Sequence, residues 1–436
     1  MGILQTLFGD DAAVLYERDF QLLLLASLSS PLGASVVSPI LEGLTGPLGV
    51  SSARAGLLMA VFTAPAIVLI PLVGVLSDRV GRKPVLTGGL LLFGLAGLAV
   101  TLTTDFRSVL GLRFLQGVGY TGIAPVLITS VGDIFADDAD AEASAQGLRF
   151  TAVGVSLTVF PVLSGALVVL AWQYPFYLYG LAVPTALVVW ALFEEPTAAD
   201  AVGPNGADAG HADDADKPVR DGSTRALLSL TTHPRVAATL VGRAVPSFLW
   251  FVFLTYNSVV VVRFLGGSAG VAGLLVAAAS VASSVSSTQS GRITAAFDTR
   301  VVPMFASTTA IGAGVLALVF APSTLVAGVG VVFAGAGFGL GLTLYRSALT
   351  GSAPVELRGG LVSLGESAGR LGSTVAPVLT GAVVAVAAPT LGPVDSVRWG
   401  VVGVVAAAVL VGVVSVAVVD RFDAPARSRA GTSTAD

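Results

Sequence analysis

The feature that most constrains this chain is a series of roughly twelve long apolar runs, each close to the 20 or so residues with which an α-helix crosses a bilayer. The runs are too long and too uniformly apolar for the alternating pattern of membrane-barrel strands. Only 11% of the residues are charged, against about 25% in soluble globular proteins. These observations predict an all-α integral membrane protein, and they argue against a soluble enzyme, a nucleic-acid-binding protein and a disordered chain. The predicted spans are 20–43, 55–76, 85–103, 108–135, 144–170, 175–193, 237–264, 269–294, 301–320, 324–350, 360–387 and 399–419.

One polar interruption divides the runs into two groups of six. Residues 194–236 are rich in glycine, proline and Asp-Ala pairs and hold both histidines, a composition typical of a flexible linker. The predicted organisation is a cytoplasmic N-terminal segment (1–19), an N-terminal six-helix bundle (20–193), this cytoplasmic linker, a C-terminal six-helix bundle (237–419) and a cytoplasmic tail (420–436).

The charged residues are unevenly distributed. Most of the 23 lysines and arginines fall in connections on the side of the N-terminus, which predicts a cell-membrane protein with both termini in the cytoplasm. Aspartate outnumbers glutamate and arginine outnumbers lysine, which predicts a halophilic archaeon, although a GC-rich genome gives a similar bias. The chain has no cysteine, and neither histidine lies in an apolar run. We therefore predict no disulfide, metal site or cofactor.

The two halves resemble each other, which predicts two pseudo-symmetric bundles. Three short matches lie in equivalent runs, at offsets of 216, 220 and 217 residues. Parallel repeats of six spans are typical of transporters that bind a solute near the middle of the membrane, between the halves. The matched pairs are Pro161–Ala166 with Pro377–Ala382, Gly117–Gly119 with Gly337–Gly339, and Gly74–Ser77 with Gly291–Thr294.

The loop after the second run carries the most specific motif. It reads Gly74-Val75-Leu76-Ser77-Asp78-Arg79-Val80-Gly81-Arg82-Lys83-Pro84 and resembles the signature loop of the major facilitator superfamily. A plain cytoplasmic anchor would need only its basic residues. Glycine permits a tight turn or a close backbone approach, and an anion is stabilised at a helix N-terminus. The resemblance implies a gating latch in which Asp78 docks at the start of the eleventh run, near Gly359 and Gly360. The predicted gating residues are Gly74, Asp78, Arg79, Gly81, Arg82 and Lys83.

Further motifs are similar to the twelve-helix drug/proton antiporter branch of that superfamily. Leu32-Gly33, followed after five residues by Pro39-Ile40-Leu41, resembles its first-helix motif, and Arg113–Gly119 resembles the fourth-helix motif. The resemblance implies that Arg113 assists proton transfer and that Asp133 pairs with an arginine of the signature loop. Two departures weaken the likeness. The fifth-helix motif has Phe160-Pro161 in place of Gly-Pro, and the second copy of the signature loop has Ala295 in place of the acid.

Ionisable residues inside the runs are functional candidates, because charge is costly in a bilayer. Gln116 and Tyr120 share a helical face with Arg113 and are predicted to line a substrate cavity. The alternative for Arg113 is a side chain that extends to the outer membrane surface. Glu366 and Arg370 are four residues apart on the eleventh run. They form either a proton-coupling pair or a self-neutralising structural pair.

A stripe on the seventh run adds three cavity candidates. Arg243, Trp250 and Asn257 fall on one helical face, and the ring of Trp250 could receive a cation. The alternative is a face that packs against another helix.

Together the runs and motifs predict a secondary transporter that works by alternating access. The resemblance implies proton-coupled export of amphipathic compounds, with a small-molecule substrate, protons and the lipid bilayer as partners. A proton-coupled symporter that imports a small organic solute is the alternative, and a transport-inactive membrane sensor is a second one. An enzyme is not expected, because the runs hold no clustered catalytic set. No nucleic acid is expected either, and the protein is predicted to be a monomer. ATP drive is not expected, because the linker has no phosphate-binding loop.

Overall fold

The computed structural model describes residues 14–195, 226–227, 229–297, 299–354 and 357–431, with side chains as far as residue 422. Most of the predicted N-terminal segment and linker, and residues 432–436 of the tail, lie outside these residues. The described chain is helical and contains no strand. The chain forms two compact units. Unit 1 is Met1–Val50 with Val61–Asp216, and unit 2 is Ser51–Ala60 with Lys217–Asp436.

Six helical segments of the first half are long and apolar enough to cross a membrane. They are span 1 (Arg18–Ile40), span 2 (Ser52–Val80), span 3 (Arg82–Leu102), span 4 (Phe106–Ile134), span 5 (Ala139–Leu167) and span 6 (Tyr174–Leu192). Their α-helices are Arg18–Ser27, Leu32–Ser35, Ser52–Ala55, Leu57–Val80, Arg82–Ala99, Phe106–Thr121, Ala124–Ile134, Ala139–Leu167 and Ala182–Leu192.

The second half has four spans and a fifth segment that is two helices in sequence. They are span 7 (Pro234–Phe264), span 8 (Ala269–Thr288), span 9 (Val301–Val319), span 10 (Thr324–Thr350) and the segment Arg358–Phe422. Span 7 is α-helical over Pro234–Val259, and a short helix Ser290–Ala296 follows span 8. The last segment belongs to the helix Arg358–Gly431, in which Gly392 is non-helical, at φ 79° and ψ 172°. Gly392 therefore separates span 11 (358–391) from span 12 (393–422), which gives twelve spans among the described residues.

Prolines mark several irregular places in the spans. Span 1 is interrupted after Ser27, where Pro31 precedes a second short helix, and span 4 is interrupted just before Pro125. Span 6 begins as a 3-10 helix, Tyr174–Leu181, with Pro175 in its first turn. A proline lacks the N–H that the α-helical ladder needs. Such breaks are tolerated within a membrane where the surrounding helices shield the free backbone groups from lipid.

In unit 1, span 4 contacts spans 2 and 3 through glycines. A Cβ atom at Gly117 would collide with the carbonyl oxygen of Phe62 on span 2. A Cβ atom at Gly119 would lie 2.6 Å from the amide nitrogen of Phe93 and 2.7 Å from the carbonyl oxygen of Gly89, both on span 3. Only glycine allows backbones to approach this closely.

Unit 2 has equivalent contacts, with the partner on span 8 shifted by one residue relative to the others. A Cβ atom at Gly335 on span 10 would collide with the carbonyl oxygen of Ala279 on span 8. One at Gly337 would lie 2.9 Å from the amide nitrogen of Ile311 and 2.6 Å from the carbonyl oxygen of Ser307, both on span 9.

The glycine contacts correct the predicted register of the repeat. Gly117 corresponds to Gly335 and Gly119 to Gly337, an offset of 218 residues. Their partners Gly89 and Phe93 correspond to Ser307 and Ile311 at the same offset. The predicted match of Gly117–Gly119 with Gly337–Gly339 is therefore wrong by two residues, which is the spacing of the glycines in span 10. A row of alternating glycines in span 10 offers two registers that the sequence alone does not distinguish.

Candidate functional site

The signature loop forms a charge cluster in unit 1 around Arg82, the first residue of span 3. The Arg82 guanidinium donates from Nε to Asp133 on span 4, at 3.0 Å, and from Nη1 to the Ser77 hydroxyl, at 2.8 Å. It also donates to the carboxylate of Asp78, four residues earlier. The Arg82 side chain is only 18% exposed, whereas those of Asp78 and Asp133 are 63% and 42% exposed. The cluster is therefore one guanidinium between two carboxylates.

Glu195 is a functional candidate that the sequence interpretation missed. Gly81 joins spans 2 and 3 at φ 98°, in the left-handed region that favours glycine. The amide N–H of Arg82 donates to the Glu195 carboxylate, which thereby caps the start of span 3. A Cβ atom at Gly81 would lie 2.6 Å from Glu195 Oε2. Local spacing gives no signal for this contact, because the partners are 113 residues apart.

The other predicted gating residues have simpler surroundings. A Cβ atom at Gly74 would meet no atom within 4 Å, so the close approach expected at this glycine is not seen. The Arg79 side chain is exposed. The Lys83 ammonium lies 5.6 Å from the ring centroid of Trp190. Docking of Asp78 at Gly359 and Gly360 stays a prediction.

Arg113 lies at the centre of a buried polar cluster in unit 1. Its side chain is fully buried. Nη1 donates to Gln116 Oε1 at 2.6 Å and to the Tyr179 hydroxyl at 3.1 Å, and Nη2 donates to the Gly33 carbonyl at 2.7 Å. The guanidinium carbon lies 4.6 Å from the ring centroid of Phe62. These inward contacts argue against the alternative in which Arg113 extends to the membrane surface.

The cluster joins two predicted residues with one that was missed. Arg113 and Gln116 meet, whereas the Tyr120 ring packs against Phe62 at a centroid distance of 5.5 Å. Tyr179 on span 6 was not predicted, because the sequence contains no signal that pairs it with span 4. Its ring is held edge to face by Phe93, 5.4 Å away.

Glu366 on span 11 lies at the centre of a second charge cluster, in unit 2. Its Oε2 accepts from Arg243 Nη2 at 3.1 Å, and its Oε1 accepts from Arg346 Nη2 at 2.7 Å. Arg243 also donates to the Ser247 hydroxyl at 2.9 Å. The side chain of Arg243 is 5% exposed, that of Glu366 38% and that of Arg346 55%. This cluster is one carboxylate between two guanidiniums.

The structure gives Glu366 two partners that the sequence interpretation did not pair with it, while its pairing with Arg370 stays a prediction. The ion pairs described for Glu366 are with Arg243 on span 7 and Arg346 on span 10. Arg243 reaches span 11 where Gly369 leaves room, since a Cβ atom there would lie 2.6 Å from Arg243 Nη1. Arg346 was not among the predicted site residues, although its position inside the apolar run 324–350 was a signal for a functional role.

The predicted cavity stripe on span 7 is occupied by packing contacts. The ring of Trp250 is stacked on Phe338 of span 10, with centroids 4.5 Å apart and planes 3° from parallel. Asn257 is fully buried and donates from Nδ2 to the Ala272 carbonyl at 2.9 Å. One face of the Trp250 ring is thus covered by Phe338, which favours the packing alternative for this residue. Among the described residues, no group of three or more histidines and acids is arranged to hold a metal ion.

Comparison with known proteins identifies the family. A sequence model of the Major Facilitator Superfamily matches residues 23–264, which is more than half of the chain. The protein belongs to the major facilitator superfamily. The matched region includes the Arg82 and Arg113 clusters.

Curated relatives of this superfamily member are transporters rather than enzymes. The bacillibactin exporter of Bacillus subtilis (strain 168) is 33% identical over 150 residues, which are 33% of this chain and 37% of that protein. The 3-(3-hydroxy-phenyl)propionate transporter of Escherichia coli (strain K12) is 35% identical over 29% of this chain and 32% of its own. The multidrug transporter MdfA of Edwardsiella piscicida is 27% identical over 35% of this chain and 36% of its own. The chain matches about a third of the length of each relative.

Solved structures show the fold over nearly the whole length of the chain. A bacterial homologue of the human lysosomal transporter Spinster has a TM-score of 0.75 at 16% identity, covering 92% of this chain and 95% of that one. The nucleoside transporter NupG has a TM-score of 0.72 at 12% identity, covering 92% and 99%. The predicted all-α membrane fold is thereby confirmed.

Proposed function

We propose that this superfamily member is a secondary active transporter that exports amphipathic compounds in exchange for protons. The observation that carries the proposal is the Arg82 cluster, in which the signature loop of the superfamily has its charged partners in place. The bacillibactin exporter and the multidrug transporter among the relatives support the export direction. The residues expected to line the substrate path are Gln116, Tyr120, Arg243, Trp250 and Asn257.

The Arg82 cluster is proposed to act as a latch. Arg82 forms an ion pair with Asp78 at the end of span 2 and a second one with Asp133 on span 4. Asp78 is then oriented to accept N–H groups of another helix end in one state of the transport cycle. Gly74, Arg79, Gly81 and Lys83 shape and charge the loop. The Asp78→Asn variant is expected to slow transport about two- to fivefold, the factor that 0.5–1 kcal/mol of a partly exposed charge pair gives.

Glu366 is the proposed coupling carboxylate. A carboxylate at membrane depth is a functional candidate by default, and this one is partly exposed. Proton uptake would neutralise Glu366 and release Arg243 and Arg346, whereas proton loss would restore both ion pairs. Arg370, one helical turn away, would compete for the carboxylate. Arg113 would assist proton movement from the fully buried cluster of unit 1.

Membrane topology and assembly are part of the proposal. The distribution of lysine and arginine supports cytoplasmic N- and C-termini in a cell membrane. A monomer is the simplest transporting unit, because each half carries six spans. The aspartate-rich composition supports a halophilic archaeal source.

A symporter that imports a small organic solute is the second candidate. The 3-(3-hydroxy-phenyl)propionate transporter among the relatives favours it. Proteoliposomes with an imposed pH gradient distinguish the two functions. An antiporter moves a fluorescent lipophilic cation against the inward flow of protons, whereas a symporter moves an aromatic acid along with them. Flux of neither probe under any gradient would favour the transport-inactive sensor and contradict both candidates.

The coupling role has its own test. The Glu366→Gln variant should retain solute exchange without a gradient and lose the pH dependence of net flux, because it keeps the shape of the side chain and cannot bind the proton. The matched control is Glu142→Gln, which removes an acid near the start of span 5. If Glu366→Gln keeps the wild-type pH profile, the coupling carboxylate lies elsewhere.

A further inference from the structure

Unit 2 contains a basic cavity at the place that corresponds to the Arg82 cluster of unit 1. The cavity has a volume of about 240 Å³ and lies among the starts of spans 7 and 9 and the end of span 10. Two arginines line it, Arg235 and Arg300, together with four hydroxyl residues. The hydroxyl residues are Thr239, Thr294, Thr299 and Ser352.

The register of the repeat aligns this cavity with the signature loop. At the 218-residue offset, Arg300, which directly precedes span 9, corresponds to Arg82, the first residue of span 3. Thr294 corresponds to Ser77, which accepts a hydrogen bond from Arg82 in unit 1, at the predicted offset of 217, and at that offset Arg300 corresponds to the neighbouring cation Lys83. The cation and the hydroxyl of the first cluster are therefore both present in unit 2.

At the positions that correspond to Asp78 and Asp133, the sequence of unit 2 has no carboxylate. Ala295 stands where Asp78 stands in unit 1, and Gly351 corresponds to Asp133. Arg300 nevertheless extends in the equivalent direction. Its Nη1 lies 3.5 Å from the Ser347 carbonyl, and a Cβ atom at Gly351 would lie 3.4 Å from the same nitrogen. Arg300 thus reaches the end of span 10 as Arg82 reaches that of span 4, but it meets Gly351, which has no side chain, where Arg82 meets Asp133.

The cavity lining has the charge and shape for an anion. None of the described lining residues is acidic, although Asp420 directly follows the lining residue Val419. Asp298 lies outside the described residues. Guanidinium groups bind phosphate through paired, charge-assisted hydrogen bonds. Basic pockets between the ends of membrane helices are suited to phosphate headgroups. The cavity is large enough for a phosphate and the first atoms of its ester.

We propose that this cavity binds the phosphate group of an anionic ligand, which takes the place of the two carboxylates that neutralise Arg82 in unit 1. The phosphate contacts Arg300 and Arg235, and the hydroxyls provide a polar wall. The ligand is either a phospholipid headgroup or a soluble phosphate. This site lies outside the residues of the proposed transport mechanism.

The experiment uses the full-length protein in detergent, with phosphatidylglycerol and inorganic phosphate as separate probes. Native mass spectrometry measures the fraction of protein that retains phosphatidylglycerol, and thermal unfolding measures stabilisation by inorganic phosphate. The variants are Arg300→Gln and Arg235→Gln/Arg300→Gln. The matched control is Arg292→Gln, which removes an exposed arginine that donates to Gln289 and does not line the cavity.

A lipid ligand predicts that the double variant lowers the retained phosphatidylglycerol about tenfold, while the control stays at the wild-type level. A soluble ligand predicts that phosphate raises the melting temperature of the wild type and the control but not of the double variant, with equal lipid retention in all. Either result supports the site. Lipid retention and phosphate response that are the same in all variants would overturn it. Because the Arg300 side chain is exposed, the single variant gives the same answer if the double variant does not fold.

Discussion

The two charge clusters of this transporter-family protein are inversions of each other. In unit 1, one guanidinium, Arg82, lies between two carboxylates that are 63% and 42% exposed. In unit 2, one carboxylate, Glu366, lies between two guanidiniums, and one of these, Arg243, is only 5% exposed. Water can solvate either acid of the first cluster when its partner is lost. The Arg243 guanidinium has far less access to water, so the same loss should cost more in unit 2.

The largest effect is expected when Glu366 is neutralised. Glu366→Gln leaves the buried Arg243 without its carboxylate and should destabilise the protein by about 2 kcal/mol, less than a fully buried pair because Glu366 is partly exposed. Thermal unfolding followed by tryptophan fluorescence in detergent measures the change. The double variant Arg243→Gln/Glu366→Gln should recover more than half of the loss. Additive losses in the double variant would show that the two residues do not stabilise each other.

A smaller effect is expected when the central residue of the first cluster is removed. Arg82→Gln leaves Asp78 and Asp133 facing water and should cost about 1 kcal/mol. The neighbouring exposed residue provides the control, Arg79→Gln, which should be close to neutral. The comparison between the clusters fails if Arg82→Gln destabilises the protein as much as Glu366→Gln does.

The capping contact beside Arg82 should have an effect of similar size. Gly81→Ala places a Cβ atom against the Glu195 carboxylate at a positive φ, which should cost about 1–2 kcal/mol. Adding Glu195→Ala removes the collision but not the backbone strain, so it should restore only part of the stability. Full recovery in the double variant would assign the whole cost to the collision. The readout is again the melting temperature.

The smallest effect is expected at the exposed edges of the two clusters. Asp133→Asn and Arg346→Gln should each cost about 0.5 kcal/mol or less. Both losses should shrink further at high salt, because salt screens exposed charges. The loss in Glu366→Gln should change little, since Arg243 is buried. Equal salt dependence in all three variants would contradict the difference in burial.

Local sequence pattern was sufficient for the helices and for one cluster. Apolar run length identified the spans, and the short spacing within the signature loop placed Asp78 one turn from Arg82. The resemblance to the superfamily singled out Asp133. These features depend on helix length or on residues that are near in sequence, which a single chain reveals directly.

Long-range partners could not be found in this way. Glu366 was assigned to Arg370 because the i,i+4 rule considers one helix at a time, whereas Arg243 is 123 residues away and Arg346 is on span 10. Tyr179 and Glu195 are likewise distant from the groups that they contact. The packing of whole spans decides which helix faces meet. At Gly369, for example, the missing side chain leaves room for the Arg243 guanidinium to reach span 11.

The glycine contacts between backbones have a consequence for how this chain can change over time. The atoms nearest to Gly117 and Gly335 are the main-chain carbonyls of Phe62 and Ala279, so these contacts depend more on the glycines than on the side chains around them. The 218-residue spacing between the two halves is therefore preserved by contacts between backbones. Two copies of an ancestral half can lose nearly all similarity in their side chains, and one copy can even lose a pair of acids. The glycine contacts at the 218-residue offset still show which residues correspond.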